Sequence, residues 1–288
     1  MTKRRPAAQT ALGPMVIAAV EQLLPAERRV IDDDLAQGFL PPGTRLVVRA
    51  CKWRVIRDLV IGATDKQAHG LWASMLCRKR YADDKVAEAL GDGIEQVVIL
   101  GAGLDTRAYR LVVPAGARAF EVDLPENIED KRARLGSVPD GVALIAVDFQ
   151  RDDLGASLAA AGFRLDEPAM FVWEAVTQYL SQDAVRATLA FLGRAAPGSR
   201  LIFTFVRQDF LDGTDFYGAK GAHRQFVTRR RVWHFGLAPG AVRDLLAEYG
   251  WAEREQVGPE EYRARYLVPA GRDLPVSQIE RFVYAAKP

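Results

Sequence analysis

Two glycines and three carboxylates recur at near-regular intervals through the middle of the chain: Gly101 and Gly103, then Asp123, Asp148 and Glu174. Each follows a short apolar run, and successive members lie roughly 25 residues apart, the length of one strand plus one short helix. A Gly-x-Gly turn lets a ligand approach backbone N–H groups with no Cβ in the way. Asp123, with Leu124 beside it, closes the second run, where a carboxylate can accept hydrogen bonds from both hydroxyls of a ribose. Asp148 can accept from the amino group of adenine while Phe149 packs on the ring, and Glu174 can accept from an amino-acid ammonium. Taken singly, each acid reads as a cap or a solvated loop residue. The ordered set carries the signal: an adenosine-bearing ligand held beyond the carboxyl ends of a parallel sheet.

The elements that must position these residues follow from the apolar pattern. Strands are predicted at 96–100, 118–123, 142–147, 169–174 and 200–206, with short helices between them. Pro125 opens a helix to Leu135, and Ser181 caps one to about Ala195. Two further strands fall at 252–257 and 280–286. The alternation implies a parallel sheet covered on both faces. Upstream, helical composition marks 14–24, 45–60 and 64–77; Arg78 to Asp84 then ends this arm, and Asp83 or Asp84 caps a separate helix up to Gly91. The acidic triplet Asp32-Asp33-Asp34 reads as the first turn of a helix, where carboxylates complement the macrodipole. The stretch 207–236 breaks the rhythm and is rich in aromatic side chains. The expected organisation is an N-terminal helical cover over 1–93 and a Rossmann-like domain over 94–288, with 207–236 as an insertion facing the substrate.

Composition narrows the classes. Apolar residues make up 49% of the 288, enough for a core, and the formal net charge is only +2 with mixed signs. A nucleic-acid binder should show a basic stripe, and Arg229-Arg230-Arg231 is too short to be one; it reads as a solvated loop or a contact for an acidic ligand. Cys51 and Cys77 form no CxxC pair, which fits a reduced cytoplasmic protein. His69, His223 and His234 form no metal-ligand motif, so no metal is expected. Lys3-Arg4-Arg5 followed by 11–20 has the outline of a leader, but Gly13-Pro14 and Glu21-Gln22 interrupt it and no cleavage site is apparent. No apolar run approaches the ~20 residues that span a bilayer, and no membrane partner is expected.

A nicotinamide dehydrogenase would also want Gly-x-Gly and an acid near the second strand. Its third glycine falls here on Thr106, and nothing offers a hydride-transfer pair. The segments Gly101-Ala-Gly-Leu-Asp-Thr-Arg-Ala-Tyr-Arg-Leu111, Phe120-Glu-Val-Asp-Leu-Pro125 with Lys131-Arg-Ala-Arg-Leu135, and Trp173-Glu-Ala-Val-Thr-Gln-Tyr-Leu180 together resemble the leucine carboxyl methyltransferase family, in particular its bacterial, actinobacteria-rich branch. The likeness covers about 10–205 well and the rest loosely.

The resemblance implies a class I methyltransferase sheet of about seven strands, the last antiparallel, and S-adenosylmethionine as cofactor. It implies Arg78 or Arg80 on the methionyl carboxylate, Gly101 and Gly103 along the cofactor, Asp123 on the ribose, Asp148 and Phe149 on the adenine, and Glu174 at the amino-acid end. Phe149 stands where the family often has Leu, and Ala175 where it often has Gly or Cys. The acceptor-facing stretch 207–236 matches poorly, so no particular acceptor carries over. The function expected is O-methylation of a carboxylate or hydroxyl on a small molecule, apolar or aromatic to suit that stretch. Tyr179, His223 and His234 are the candidates to orient or deprotonate it. A non-catalytic cofactor-binding module and an NAD-dependent oxidoreductase are the alternatives.

Overall fold

The computed structural model describes residues 12–288; the Lys3–Arg5 cluster weighed against a leader lies outside them. Seven strands form one sheet in the order β3-β2-β1-β4-β5-β7-β6. They are β1 (Gln96–Leu100), β2 (Arg118–Asp123), β3 (Val142–Ala146), β4 (Met170–Trp173), β5 (Arg200–Val206), β6 (Ala252–Val257) and β7 (Glu280–Ala286). The first five run parallel, and β7 is antiparallel to both β5 and β6. This is the doubly wound, class I methyltransferase arrangement.

Central strands buried on both faces are apolar almost throughout, and β1 and β4 are wholly buried; the polar Gln96 of β1 is satisfied by the Arg164 backbone. Alternate residues then serve opposite layers. Val97, Ile99, Met170 and Val172 join one core. That core holds residues of α1 (Leu12–Glu21) and α4 (Leu71–Gly91). Val98, Leu100, Phe171 and Trp173 join the other. There they meet α6 (Leu154–Ala160), α7 (Gln182–Leu192) and the helix Val242–Glu248. Between α1 and α4 lie α2 (Pro42–Ala50) and α3 (Arg54–Gln67); α5 (Pro125–Leu135) follows β2. Ser181 and Asp153 cap α7 and α6 through the amides of Ala184 and Ala156.

Three local readings are corrected. α4 is one continuous helix of 21 residues, so Asp83 and Asp84 sit mid-helix and cap nothing. Leu71, Trp72 and Met75 belong to the same helix as Val86 and Ala89. The acidic triplet lies in a loop, and Asp33 is fully buried there. The short helix expected between the first two strands is a wide π-type turn, Ala108–Val112. α4 starts at Gly70, whose backbone is left-handed (φ 74°). A Cβ there would come within 2.5 Å of the Val276 and Ser277 backbone, so this junction needs glycine twice over. Among the described residues no helix is long and apolar enough to cross a membrane.

Candidate active site

The loops that leave β1, β2, β3 and β4 at their carboxyl ends converge on one cavity of about 670 Å³. Gly101, Gly103, Asp123, Leu124, Asp148, Phe149 and Glu174 all line it, as do Arg78 from α4 and Tyr179. Arg80 does not: its guanidinium turns to Asp84 (2.7 Å) and the Val30 carbonyl. One helical turn of 3.6 residues cannot aim positions 78 and 80 the same way, and Arg78 takes the inward one. His223 and His234 are absent from the lining. His223 packs edge-on against Phe210 and Phe216, and His234 is exposed.

The glycine turn is built by two contacts. Gly101 and Gly103 both have positive φ (70° and 47°). A Cβ on Gly101 would lie 2.2 Å from Val176 Cγ2. Its missing side chain therefore makes room for the β4 loop. The amide of Gly103 donates to Asp123 Oδ2. The other oxygen, Asp123 Oδ1, accepts from the Leu124 amide and from Asn127 Nδ2, each at 2.7 Å. One carboxylate thus fixes the β1 and β2 loops together. Burial raises the Asp123 pKa, against the opposing pull of these donors.

Behind the turn lies a buried ionic network centred on Arg107, which is wholly inaccessible. Its Nε donates to Asp83 Oδ1 at 2.6 Å, Nη1 pairs with Asp105, and Nη2 donates to the Lys79 carbonyl at 3.0 Å. Nη2 also lies 2.8 Å from Glu174 Oε2. Arg78 bridges Glu174 Oε1 and Glu280 Oε2, both at 2.8 Å. Arg110 joins Asp83 to Asp33, and Thr106 Oγ1 donates to Asp33 at 2.8 Å. Lys131, also fully buried, donates to Glu121 and to the Asp105 carbonyl, each at 2.7 Å. Burial alone would raise the Glu174 pKa, but Arg107, Arg78 and Lys79 outweigh it and hold the carboxyl ionised below its ordinary range. Asp105 is lowered in the same way against its burial, chiefly by Arg107. Sequence reasoning quoted Asp105, Arg107 and Lys131 within the motifs but gave them no task. Their signal was the density of charges inside an otherwise buried βα unit.

Two features mark the loop after β4. Glu174 Oε2 is buried yet receives no aligned hydrogen bond, despite its ion-pair contact with Arg107. Its neighbour Ala175 adopts a left-handed backbone (φ 58°), a conformation costing about 1 kcal/mol without glycine, and Thr204 Oγ1 holds its amide at 2.8 Å. The far end of the cavity is different. There Tyr179, Phe226, Trp233 and Leu180 line it, with Phe226 and Trp233 stacked at 4.8 Å. The buried Gln178 Oε1 and Trp233 Nε1 have no hydrogen-bond partner, and the exposed Arg230 also lines the cavity. Burial pushes the Cys77 thiol up to about 12, which removes it as a nucleophile. Among the described residues no three His, Cys, Asp or Glu side chains converge as a metal site.

Comparison with known proteins agrees with this geometry. A family model for leucine carboxyl methyltransferase matches residues 11–193. A Mycobacterium avium protein named "Putative S-adenosyl-L-methionine-dependent methyltransferase" is 37% identical over 198 residues, 66% of this chain and 64% of its own length. A Mycobacteroides abscessus protein of the same name is 33% identical over 251 residues, 79% of this chain and 81% of its own. The chain thus spans just under two thirds of the first of these relatives and about four fifths of the second. Among solved structures, one titled a putative methyltransferase from Thermobifida fusca superposes with a TM-score of 0.60 at 18% identity, covering 100% of this chain and 99% of that one. That likeness speaks to the fold. By sequence, the chain belongs to the leucine carboxyl methyltransferase family.

Proposed function

We propose that the cavity binds S-adenosylmethionine and that the protein transfers its methyl group to an oxygen of a small-molecule acceptor. The observation that carries this is Glu174. Its carboxylate is held ionised in a buried site with Oε2 lacking an aligned donor, the partner that an amino-acid ammonium requires. Asp123 would hold the ribose, Asp148 and Phe149 the adenine, and Arg78 with Lys79 the methionyl carboxylate; all five line the cavity. When bound, the donor supplies an electrophilic methyl on a sulfonium. The chain's own task is to align the acceptor with that methyl and exclude water. Residues ahead of β1 act as the cover, and 207–236 as the acceptor wall.

The acceptor that fits best is an apolar or aromatic carboxylic acid. No histidine lines the cavity among the described residues, and a carboxylate, already ionised, needs no general base. Arg230 and Trp233 Nε1 offer cationic and neutral donors to such a group, beside the rings of Tyr179 and Phe226. Free, buried Cys51 and Cys77 suit a reducing cytoplasm.

Calorimetry with S-adenosylmethionine and NAD in parallel tests the donor. Heat from the first and none from the second is expected; the reverse would overturn the reading. Labelled methyl donor with cell extract, followed by mass analysis, then identifies the acceptor. A tight donor complex that never yields S-adenosylhomocysteine would make this a binding module instead.

A further inference from the structure

Leu46, Val47, Trp53, Val55 and Leu59 are five of the six exposed large apolar side chains among the described residues, and all fall within positions 46–59. Each is 53–72% exposed. They sit on α2, on α3 and on the short turn between them, while Val48 and Cys51 of the same segment are buried against the core. Apolar side chains scattered singly need no explanation, but a cluster on one face does. Exposed cations are interleaved with it: Arg49, Lys52 and Arg54. Lys52 Nζ stands 4.8 Å over the Trp53 ring. Asp58, 3.5 Å from Arg54, is the single acid between positions 42 and 64.

We propose that this α2–α3 face docks on an anionic lipid surface. A tryptophan, aliphatic side chains and flanking cations on a helical face match the boundary between headgroups and acyl chains, where the apolar groups enter and the cations meet phosphates. The charges select this occupant. A second copy meeting the face across a two-fold axis would bring two sets of cations together. Such docking needs no spanning segment, so it revises the expectation of no membrane partner without conflicting with the absence of a long apolar helix among the described residues. It stands independently of the methyl-transfer reading. α3 also forms one wall of the cavity through Val60 and Thr64, so the docked molecule turns that wall toward the lipid.

The test is co-sedimentation of the full chain with phosphatidylcholine vesicles, with and without phosphatidylglycerol, together with quenching of tryptophan fluorescence by brominated lipid. Binding is expected on the anionic vesicles and should weaken as salt is added. Trp53→Ser combined with Leu59→Ser should lower the partition coefficient by at least ~30-fold on the apolar-burial scale, with circular dichroism and melting unchanged because both side chains are exposed. Lys52→Glu with Arg54→Glu should reduce binding to anionic vesicles on the order of 100-fold. Failure of the wild-type chain to bind anionic vesicles overturns the proposal. So does a concentration-dependent dimer in sedimentation velocity that the Trp53/Leu59 variant abolishes while vesicles bind neither protein; that result assigns the face to a second copy.

Discussion

The two ends of the cavity are built on opposite plans. At the Glu174 end, backbone amides, three arginines and four carboxylates on α4 and at the carboxyl ends of β1, β2 and β4 hold one another in fixed positions. At the Trp233 end, stacked aromatic rings line the space, and two buried polar atoms have no partner within the protein. The first plan suits a ligand that never changes, because every charge is set before it arrives and little reorganisation is needed. The second suits a ligand that differs among relatives, because aromatic walls tolerate repacking and specificity comes from a few polar groups. The difference separates what a family can share from what each member must adapt.

That contrast can be broken at either end. Arg107→Met should have the largest effect. It removes the counter-ion that Asp83, Asp105 and Glu174 share in a buried site and should cost about 3–5 kcal/mol in urea unfolding. Arg107→Lys should not restore it, since one ammonium cannot serve acceptors on three sides. Stability that survives Arg107→Met would show that the scaffold is not fixed by charge. Glu174→Gln sharpens the point through pH. The folded-state pKa of Glu174 lies below its ordinary 4.5, so its stabilisation is complete above that value and disappears as pH falls through the folded pKa. The stability gap between wild type and Glu174→Gln should therefore be widest near neutrality and close on acidification below pH 4.5. A gap independent of pH would mean that the ionised form is not what matters.

Asp123→Ala should weaken S-adenosylmethionine binding by roughly 1.5–3 kcal/mol in calorimetry, the worth of a charge-assisted hydrogen bond. Unchanged affinity in a folded variant would take Asp123 out of the donor site. At the other end, Arg230→Gln should raise the acceptor KM by up to about fivefold, the worth of one exposed charge contact, and leave donor affinity untouched. A loss of donor affinity instead would merge the two ends into one. Smallest of all, His234→Ala should shift stability by no more than about 0.5 kcal/mol and leave kcat alone, since the side chain is exposed and off the cavity. A large fall in kcat would restore a histidine base and favour a hydroxyl acceptor.

The sheet was readable because burial on both faces imposes a simple rule. β1, β2, β5, β6 and β7 have the predicted bounds, and β3 and β4 differ only at their ends. The residues at the carboxyl ends were readable for the same reason, since a strand that stops being apolar announces its end. The network around Arg107 was not. Asp83 looks like a cap to any local rule, because Asp at such a place commonly is one. Its real partner is 24 residues away, and nothing in the spacing encodes that. Asp33 was misread likewise: its contacts are with Thr106 and Arg110, more than 70 positions along. Arg80 and Arg78 look equivalent in sequence, and only the helix phase of α4 decides between them. Local pattern finds elements; long-range charge pairing emerges only once those elements have met.

The pairs Asp83–Arg107, Asp33–Arg110 and Glu21–Arg272 all join an acid in the first 93 residues to a cation in the rest. Arg78 reverses the polarity, pairing from the first segment with Glu174 and Glu280 of the second, so the two parts are electrostatic complements in both directions. An N-terminal segment grafted from another member of the family would bring its own helices, but it would fit only if it also supplied the acids at these positions and the cation at position 78. A mismatch would leave a guanidinium buried without its counter-ion. A recombinant joined near position 93 should therefore lose stability unless the charges on both sides of the join are changed together.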